Sequence, residues 1–250
     1  MAKQFEYHVK IDMKRQRLTL GAQLGSGTFG SVYKASEAKG IRGALCVKIP
    51  HNLEARGKGG VSGSLRKEID CLKYIHSAKN QEDFKEEQGS IIKPIMTEVK
   101  LFQNEQVLVT QCYTLTLHDL LFYNKHAVSE LQWIHFFKRL LKAVNFLHHR
   151  GIYHRDLKPS NIMVDIKETE GNMKYNPVII DFGFVNEPVG PTGTPGFVAP
   201  EVLGTGPPPN PLPQQTMLDT FALGVILYVI KHKKFLPRFD KFPECYKKRV

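Results

Sequence analysis

Short β-rich stretches, either apolar or alternating between apolar and polar residues, predict strands in the first half of the chain. They lie at residues 18–20, 31–34, 45–49, 91–100 and 106–111. The glycines between the first two stretches belong to the tip of a predicted hairpin, because the β pattern resumes directly after them. Two further short strands, at 162–164 and 178–180, are predicted on either side of a polar insert at 167–177.

A spacing of three or four residues between apolar positions predicts helices elsewhere. One helix is predicted over 64–75, with Glu68 at the border of its apolar stripe. A second begins near Thr116, and a long one follows Ser129 as N-cap. The long helix runs to residue 148, and its apolar positions include Leu131, Ile134, Leu141, Val144 and Leu147.

The chain length, the apolar runs and the N-terminal residues limit which classes of protein are expected. The 250 residues are enough for one or two domains with a large core. The longest apolar run, at 221–230, is about half of the length needed to span a bilayer, so no membrane span is expected. The N-terminus lacks the apolar core of a signal peptide, and Ala2 stands where myristoylation requires glycine.

The four cysteines are scattered along the chain and form no C-x-x-C pair. They are Cys46, Cys71, Cys112 and Cys245. This spacing favours reduced thiols over a disulfide framework or a zinc site. An intracellular location is therefore expected, cytoplasmic or nuclear, or within the host cell if the chain is viral.

The formal net charge of +11 is unevenly distributed. The last twenty residues, 231–250, carry eight lysines and arginines but two acidic residues, a local net charge of +6. Such a basic tail is a candidate contact for nucleic acid, an anionic membrane or an acidic partner. A solvated tail without a specific partner is the simpler alternative, since charge alone identifies no ligand.

Candidate chemistry is concentrated in two loops of the second half of the chain. Asp156 can accept a proton, and Lys158 can neutralise the charge of a phosphate. Asn161 and Asp181 offer the oxygen ligands that Mg²⁺ prefers. Phosphoryl transfer requires this combination of a positioned hydroxyl, neutralised phosphate charge and metal ions.

The order H-R-D-L-K-x-x-N at 154–161, followed by D-F-G at 181–183, resembles the catalytic core of eukaryotic-type protein kinases. The glycine-rich segment at 25–30, the lysine strand at 45–49 and A-P-E at 199–201 resemble further motifs of that family. The resemblance implies a two-lobed α+β fold, with a small antiparallel β lobe and a mainly helical large lobe. The large lobe would be shortened, as in a minimal kinase or a truncated product. The implied divisions are an extension at 1–17 and a kinase domain at 18–250, comprising the small lobe and hinge at 18–113, a partial large lobe at 114–230 and the basic tail at 231–250.

The resemblance also implies how the two loops act. Asp156 would position and deprotonate the acceptor hydroxyl, and Lys158 would stabilise the transferring group. Asn161 and Asp181 would bind Mg²⁺. Residues 219–227 resemble the buried central helix of the large lobe. Asp219, at its start, would brace the backbone of the catalytic loop.

An ATP site is implied in which Lys48 holds the α- and β-phosphates and is itself paired with Glu68. Cys46 would roof the adenine, Thr110 would lie at the back of its pocket, and Met163 would form the floor. The remaining implied ATP contacts come from the glycine-rich segment and the hinge, namely Leu24, Gly25, Ser26, Gly27, Thr28, Phe29, Gly30, Ser31, Val32, Gln111 and Tyr113.

The residues at 158–161 match the serine/threonine form of the catalytic loop. The resemblance therefore implies transfer of the γ-phosphate of ATP to serine or threonine hydroxyls of protein substrates, rather than to tyrosine. Thr194 would hydrogen-bond to the catalytic aspartate and lysine, and Phe184 tends to accompany serine as the acceptor. Ser160 is neutral where many kinases of basic substrates carry Glu. Together with the positive net charge, this predicts acidic or neutral acceptor peptides.

Between residues 184 and 198 the hydroxyl side chains are those of Thr192 and Thr194. Arg155 is of the kind that receives an activation-segment phosphate. Because Thr194 is already assigned to the catalytic loop, strong dependence on an upstream kinase is not expected. The helix that carries Glu68 follows a glycine-rich connector at 57–63 and is the expected point of control.

The alternative to an enzyme is a catalytically weak kinase-like fragment that acts as a binding or decoy module. The short large lobe favours this alternative. Retention of Lys48, Asp156 and Asp181 argues against it, since a scaffold does not need all three.

Overall fold

A computed structural model describes the residues in the ranges 6–11, 14–27, 29–35, 44–50, 62–77, 84–100, 106–113, 115–124, 127–169, 171–190, 192–203 and 214–236. These residues fall into two compact units. Unit 1 comprises the described residues up to 77 together with 92–112. Unit 2 comprises 84–91 and the described residues from 113 onward. The fold is α+β, which confirms the predicted class.

Unit 1 is built on an antiparallel six-stranded sheet with the order β1-β2-β3-β4-β6-β5. The strands are β1 (Glu6–Ile11), β2 (Lys14–Gly27), β3 (Gly30–Ala35), β4 (Leu45–Ile49), β5 (Pro94–Lys100) and β6 (Gln106–Gln111). The β2–β3 connection lies at the glycine-rich segment, which confirms the predicted hairpin tip.

The apolar pattern predicts no strand before residue 18, but the structure places β1 and the start of β2 there. The two strands pair from Glu6 opposite Thr19 to Ile11 opposite Lys14. Residues 14–17 are all polar and carry no apolar alternation. Their strand is defined by backbone pairing, which an apolar pattern does not reveal.

Helix α1 (Ser62–Ile75) lies against β5 and β6 and supplies much of the core of unit 1. Its apolar stripe is fully buried, as predicted, and consists of Leu65, Ile69, Leu72 and Ile75. Each such side chain contributes about 1.5–3 kcal/mol through removal of apolar surface from water. The predicted connector before this helix lies mostly outside the described residues, while Ser62 and Gly63 form its first turn.

Unit 2 contains four α-helices among its described residues, together with one two-stranded sheet. The helices are α2 (Lys85–Gln88), α3 (Leu117–Phe122), α4 (Glu130–His148) and α5 (Gln215–His232), and the strands are β7 (Ile162–Thr169) and β8 (Asn172–Ile179). Thr116 and Ser129 cap α3 and α4 through reciprocal hydrogen bonds with Asp119 and Gln132. The predicted N-cap at Ser129 is therefore confirmed.

The buried face of α4 differs from the predicted stripe. Leu131, Ile134 and Leu141 are exposed, whereas Val144 and Leu147 are buried. The true core stripe follows the spacing i, i+4, i+8 and i+11 through Phe136, Leu140, Val144 and Leu147. The helix is apolar on more than one side, so periodicity alone does not select the face that packs.

The predicted polar insert is not an insert, because β7 and β8 continue through it as one antiparallel hairpin. Their pairing extends from Ile162 opposite Ile179 to Thr169 opposite Asn172. Gly171, with φ of 76°, lies in the turn. The outer half of the hairpin is polar and exposed, so it lacks the apolar pattern that predicts strands.

None of the helices among the described residues combines the length and apolar character needed to cross a membrane. The basic residues beyond 236 lie outside the described residues.

Candidate active site

The loop after α4 is anchored from within unit 2 by the buried carboxylate of Asp219, at the start of α5. Its Oδ2 accepts from the backbone N–H of His154, and its Oδ1 accepts from that of Arg155, both at 2.9 Å. The imidazole Nε2 of His148 donates to Oδ2 at 2.9 Å. Asp219 therefore braces the catalytic loop as predicted, and His148 at the end of α4 adds a third donor.

His154 connects this loop to the second one. Its Nε2 donates to the carbonyl of Ile180 at 3.0 Å, and its Nδ1 accepts from the backbone N–H of Asp156 at 3.3 Å. These two contacts fix the tautomer with the proton on Nε2. The ring also packs edge-on against Phe182, with centroids 5.0 Å apart. The side chain thereby fixes the residue before Asp181 relative to Asp156.

Two residues of these loops have left-handed backbone conformations. Arg155 has φ of 69° and Asp181 has φ of 63°. Residues other than glycine rarely adopt this backbone conformation, and they keep it where surrounding contacts hold them. The backbone N–H of Arg155 is held by Asp219, as described above. Both loops therefore show the local strain that is common at functional sites.

The carboxylate of Asp156 is the centre of a closed polar network. Its Oδ1 accepts from Thr194 Oγ1 at 2.7 Å. Its Oδ2 lies 3.0 Å from both Lys158 Nζ and Asn161 Nδ2. Lys158 also donates to Thr194 Oγ1 at 2.6 Å, which confirms the predicted threonine contact. The network fixes a buried anion beside a cation, an arrangement suited to receiving a proton and stabilising negative charge.

Asn161 and Asp181 suit a hard cation such as Mg²⁺. The amide nitrogen of Asn161 donates to the backbone carbonyl of Asp156 at 2.9 Å as well as to its carboxylate, so the amide oxygen is the atom available for a metal. The backbone N–H of Ile180 donates to the carbonyl of Asn161 at 3.0 Å, which places Asp181 next in the chain. One amide oxygen and one carboxylate are the ligand types that Mg²⁺ prefers. Among the described residues no group of three or more His, Cys, Asp or Glu side chains forms a metal cluster.

The segment after D-F-G is held by Arg155. Its Nη1 donates to the carbonyls of Glu187 and Pro188 at 2.6 and 3.1 Å, and its Nη2 donates to that of Gly190 at 3.2 Å. Gly193 has φ of 119°, and a Cβ there would lie 2.7 Å from the carbonyl oxygen of Arg155. The guanidinium, which is of the kind that can receive a phosphate, is instead buried against backbone carbonyls.

Asn186 is a residue that the sequence analysis missed. It has φ of 54°, and its Oδ1 accepts from the backbone N–H of Tyr153 at 2.8 Å. Its amide nitrogen donates to the carbonyl of Gly151 at 3.1 Å. Asparagine tolerates the left-handed region better than most residues, which was the available signal. Its two bonds tie the segment after D-F-G to the start of the catalytic loop.

In unit 1, Lys48 on the interior strand β4 pairs with Glu68 of α1. Lys48 Nζ lies 2.8 Å from Glu68 Oε2, and the side chains are 14 % and 2 % exposed. A buried glutamate of this kind requires a cationic partner, because removal of the partner leaves an uncompensated charge. The predicted ion pair is confirmed.

The glycine-rich hairpin closes between Gly27 and Gly30, which are paired across it. A Cβ at Gly30 would clash with the carbonyl oxygen of Ile49, whereas Gly25 and Gly27 have open space around them among the described residues. The side chains of Ser31 and Ser26 are hydrogen-bonded at 3.3 Å. Three further residues predicted to contact ATP are partly exposed, namely Leu24 on β2, Phe29 in the turn and Val32 on β3. Thr28 lies outside the described residues.

The expectation that all cysteines are reduced is wrong for two of them. Cys46 on β4 and Cys112, which directly follows β6, form a disulfide with Cα atoms 4.9 Å apart. They are 66 residues apart in sequence, and the β4–β6 pairing brings them together. Spacing along the chain cannot reveal a contact made by tertiary pairing. Cys245 lies outside the described residues.

Cys71 on α1 is a free thiol. Burial, with a smaller effect from the negative charge of Glu68, raises the pKa of its thiol to about 12. A thiol with so high a pKa carries almost no thiolate at neutral pH and is a poor nucleophile. Cys71 is therefore a structural residue of the helix that carries Glu68.

The remaining predicted adenine contacts lie on β6 of unit 1, on β7 of unit 2 and at the first residue of unit 2 after β6. Thr110 is opposite Cys46 in the β4–β6 pairing, and Gln111 follows it at the end of β6. In unit 2, Met163 lies on β7 with a bridge to Thr116. Tyr113 is half-buried, and burial, followed by the charge of Asp165, raises its pKa to about 12.

Comparison with known proteins agrees with this geometry. Residues 18–243 match the family described as the protein kinase domain. The chain is 30 % identical over 235 residues to CBL-interacting serine/threonine-protein kinase 12 of Arabidopsis thaliana, covering 90 % of this chain and 42 % of that protein. It is 28 % identical over 244 residues to CBL-interacting protein kinase 20 of Oryza sativa subsp. japonica, covering 93 % and 48 %. It is 28 % identical over 234 residues to human NUAK family SNF1-like kinase 2, covering 90 % and 32 %. The chain thus spans less than half the length of these curated relatives.

Proposed function

This chain belongs to the protein kinase family, and on that premise we propose that it transfers the γ-phosphate of ATP to serine or threonine hydroxyls of proteins. The observation that carries the proposal is the network around Asp156, whose carboxylate meets Lys158, Asn161 and Thr194 within 3.0 Å. A scaffold without catalytic activity would not need this arrangement. The network therefore favours the enzyme over the decoy module.

Asp156 is the group that receives the acceptor's proton. As the hydroxyl oxygen bonds to the γ-phosphorus, the bond from phosphorus to the β–γ bridging oxygen breaks, and ADP carries the released electron pair. The hydroxyl proton passes to the Asp156 carboxylate. Lys158, 3.0 Å from that carboxylate, supplies positive charge to the transferring group.

Asn161 and Asp181 would hold Mg²⁺ through their side-chain oxygens. When bound, the ion neutralises charge on the β- and γ-phosphates. Lys48 would hold the α- and β-phosphates, and its pairing with Glu68 keeps its ammonium group in place. The open space around Gly25 and Gly27 would allow backbone N–H groups of the hairpin to approach phosphate oxygens.

The acceptor class follows from the catalytic loop. The contact of Lys158 with Thr194, at 2.6 Å, uses the lysine and threonine of the serine/threonine form of the site. Phe184 supports serine as the main acceptor. The neutral Ser160 supports acceptor peptides with acidic or neutral residues around the serine.

The test is incubation of the purified protein with γ-labelled ATP, Mg²⁺ and a mixed protein substrate, followed by phosphoamino-acid analysis. We expect label in phosphoserine and, to a lesser extent, phosphothreonine. Label found mainly in phosphotyrosine would refute the acceptor class. Retained ATP binding without any label transfer would favour the decoy module instead.

A further inference from the structure

Unit 2 contains a cavity of about 340 Å³ between α4 and β8 that plays no part in the proposed chemistry. Its volume lies in the range of ligand pockets. Lysine and arginine side chains line it on two sides, three from α4 and one from β8, against a single acidic residue. These residues are Lys138, Arg139, Lys142, Lys174 and Glu86, and His135 also contributes to the wall.

Two lysines lie on the same face of α4. Lys138 and Lys142 are four residues apart, about 6 Å along the helix axis. Lys174 lies on the opposite wall, on β8. Lysine side chains therefore line both sides of the cavity.

Positive charge in the cavity is only partly compensated. Glu86 accepts from Arg139 Nη1 at 3.0 Å and from Lys142 Nζ at 3.2 Å. These contacts, that with Lys142 foremost, lower the pKa of Glu86, so it stays ionised. Within the described residues, no acidic side chain lies at ion-pair distance from Lys138 or Lys174, and the buried Nε–H of Arg139 has no hydrogen-bond acceptor.

A hydrogen bond joins the two walls of the cavity. Gln132, which also caps α4, donates from its side-chain amide to the carbonyl of Met173 on β8 at 2.8 Å. The buried ring of Tyr175 and the partly buried Met173 add apolar surface to the β8 wall. A ligand would therefore meet a preformed cleft with cationic side chains on both walls and apolar surface on the β8 wall, and the cost of ordering the site would be small.

We propose that this cavity docks an acidic segment of the protein substrate. In an extended peptide, acidic residues two positions apart are separated by about 7 Å, so two carboxylates match the separation of Lys138 and Lys142. The catalytic loop follows the other end of α4, and the helix from Arg139 to His148 alone spans about 14 Å. The docked segment would thus be separate in sequence from the acceptor residue. This inference rests on the proposed function, since it assigns the segment to a kinase substrate.

Fluorescence anisotropy tests the site directly. The probe is a short labelled peptide of alternating Glu and Ala, which has no hydroxyl acceptor. The variant Lys138→Glu/Lys174→Glu should bind it at least about tenfold more weakly at physiological salt, because reversal turns attraction into repulsion. Lys138→Arg/Lys174→Arg, which keeps both charges, should bind within about twofold of the wild type.

The matched control is Lys34→Glu/Lys93→Glu, which makes the same change of net charge at exposed positions of unit 1. It should retain affinity within about twofold. An equal loss in the control would show that overall charge attracts the peptide and would overturn the docking site. Binding of a labelled single-stranded oligonucleotide in place of the peptide would overturn it as well.

Turnover of a short neutral serine peptide separates this inference from the proposed function. That peptide does not use the cavity, so Lys138→Glu/Lys174→Glu should phosphorylate it at the wild-type rate. If Lys138→Glu/Lys174→Glu shows normal turnover and unchanged binding of the acidic probe, the docking site is refuted and the proposed function stands. Absence of turnover in the wild type would refute the proposed function, and the anisotropy comparison would still decide whether the cavity binds acidic peptides.

Discussion

At the scale of single residues, the catalytic loop depends on one buried carboxylate. Asp219 accepts from two backbone N–H groups and one imidazole, all at 2.9 Å. The residue thus contributes to stability and to the position of Asp156 at the same time.

Replacement of Asp219 by Asn should lower the free energy of unfolding by about 2 kcal/mol or more, since one oxygen becomes a donor that faces other donors. Urea unfolding measures this. Asp165→Asn is the control, because Asp165 is partly exposed and its 2.9 Å pair with the exposed Lys167 is of the kind that contributes little. Equal small losses in the two variants would contradict the bracing role.

Cys71 provides a test through its raised pKa. With a thiol pKa of about 12, fewer than roughly one in ten thousand molecules carries the thiolate at pH 7.5. Iodoacetamide should therefore label Cys71 slowly in the folded protein and faster as the pH rises toward 12. The same protein in urea is the control for intrinsic reactivity. Labelling at the unfolded rate under native conditions would show that the thiol is not buried.

Single residues also show what sequence can predict. The Lys48–Glu68 pair could be predicted, because a lysine in an apolar strand needs a buried partner. The contacts of Arg155 with three carbonyls could not, since backbone acceptors have no side-chain signature. The Cys46–Cys112 disulfide was missed because only the β4–β6 pairing brings the residues together.

At the scale of elements, local signals predicted helix starts better than packing faces. The cap at Ser129 fixed the start of α4, but the exposed Leu131 and Ile134 made its buried face ambiguous. The polar outer half of the β7–β8 hairpin carried no apolar pattern and was predicted as an insert. Elements stabilised by tertiary contacts or by backbone pairing alone were thus the ones that the sequence did not predict.

The glycine-rich hairpin should respond differently at its two end glycines. Gly30→Ala should lower the free energy of unfolding by about 1–3 kcal/mol, because the added methyl group overlaps the carbonyl of Ile49. Gly27→Ala, which adds the same methyl group in open space, should change it by less than about 1 kcal/mol. Thermal or urea unfolding of the pair measures the difference. Equal destabilisation would show that the close approach at Gly30 is not a constraint.

The segment after D-F-G should function without phosphorylation. Arg155 already holds it through the carbonyls of Glu187, Pro188 and Gly190, and Thr194 is bonded to Asp156. Thr192→Ala, or treatment with a phosphatase, should therefore leave turnover within about twofold of the untreated wild type. Loss of activity by orders of magnitude would show that a phosphate on Thr192 is required.

At the scale of the whole molecule, the formal net charge of +11 favours acidic partners, and the cavity between α4 and β8 gives that preference a location. Each unit has its own set of residues in place, with the Lys48–Glu68 pair in unit 1 and the Asp156 network in unit 2. The central claim is that the second of these performs phosphoryl transfer.

The most direct test is the rate of label transfer from γ-labelled ATP to a serine peptide by the wild type, Asp156→Asn and the control Asp165→Asn. We expect Asp156→Asn to lower kcat by about 10²–10⁴-fold, because the proton acceptor is lost while the shape of the side chain is kept. ATP affinity should stay within about twofold, and Asp165→Asn should match the wild type. Wild-type turnover by a folded Asp156→Asn protein would contradict the account.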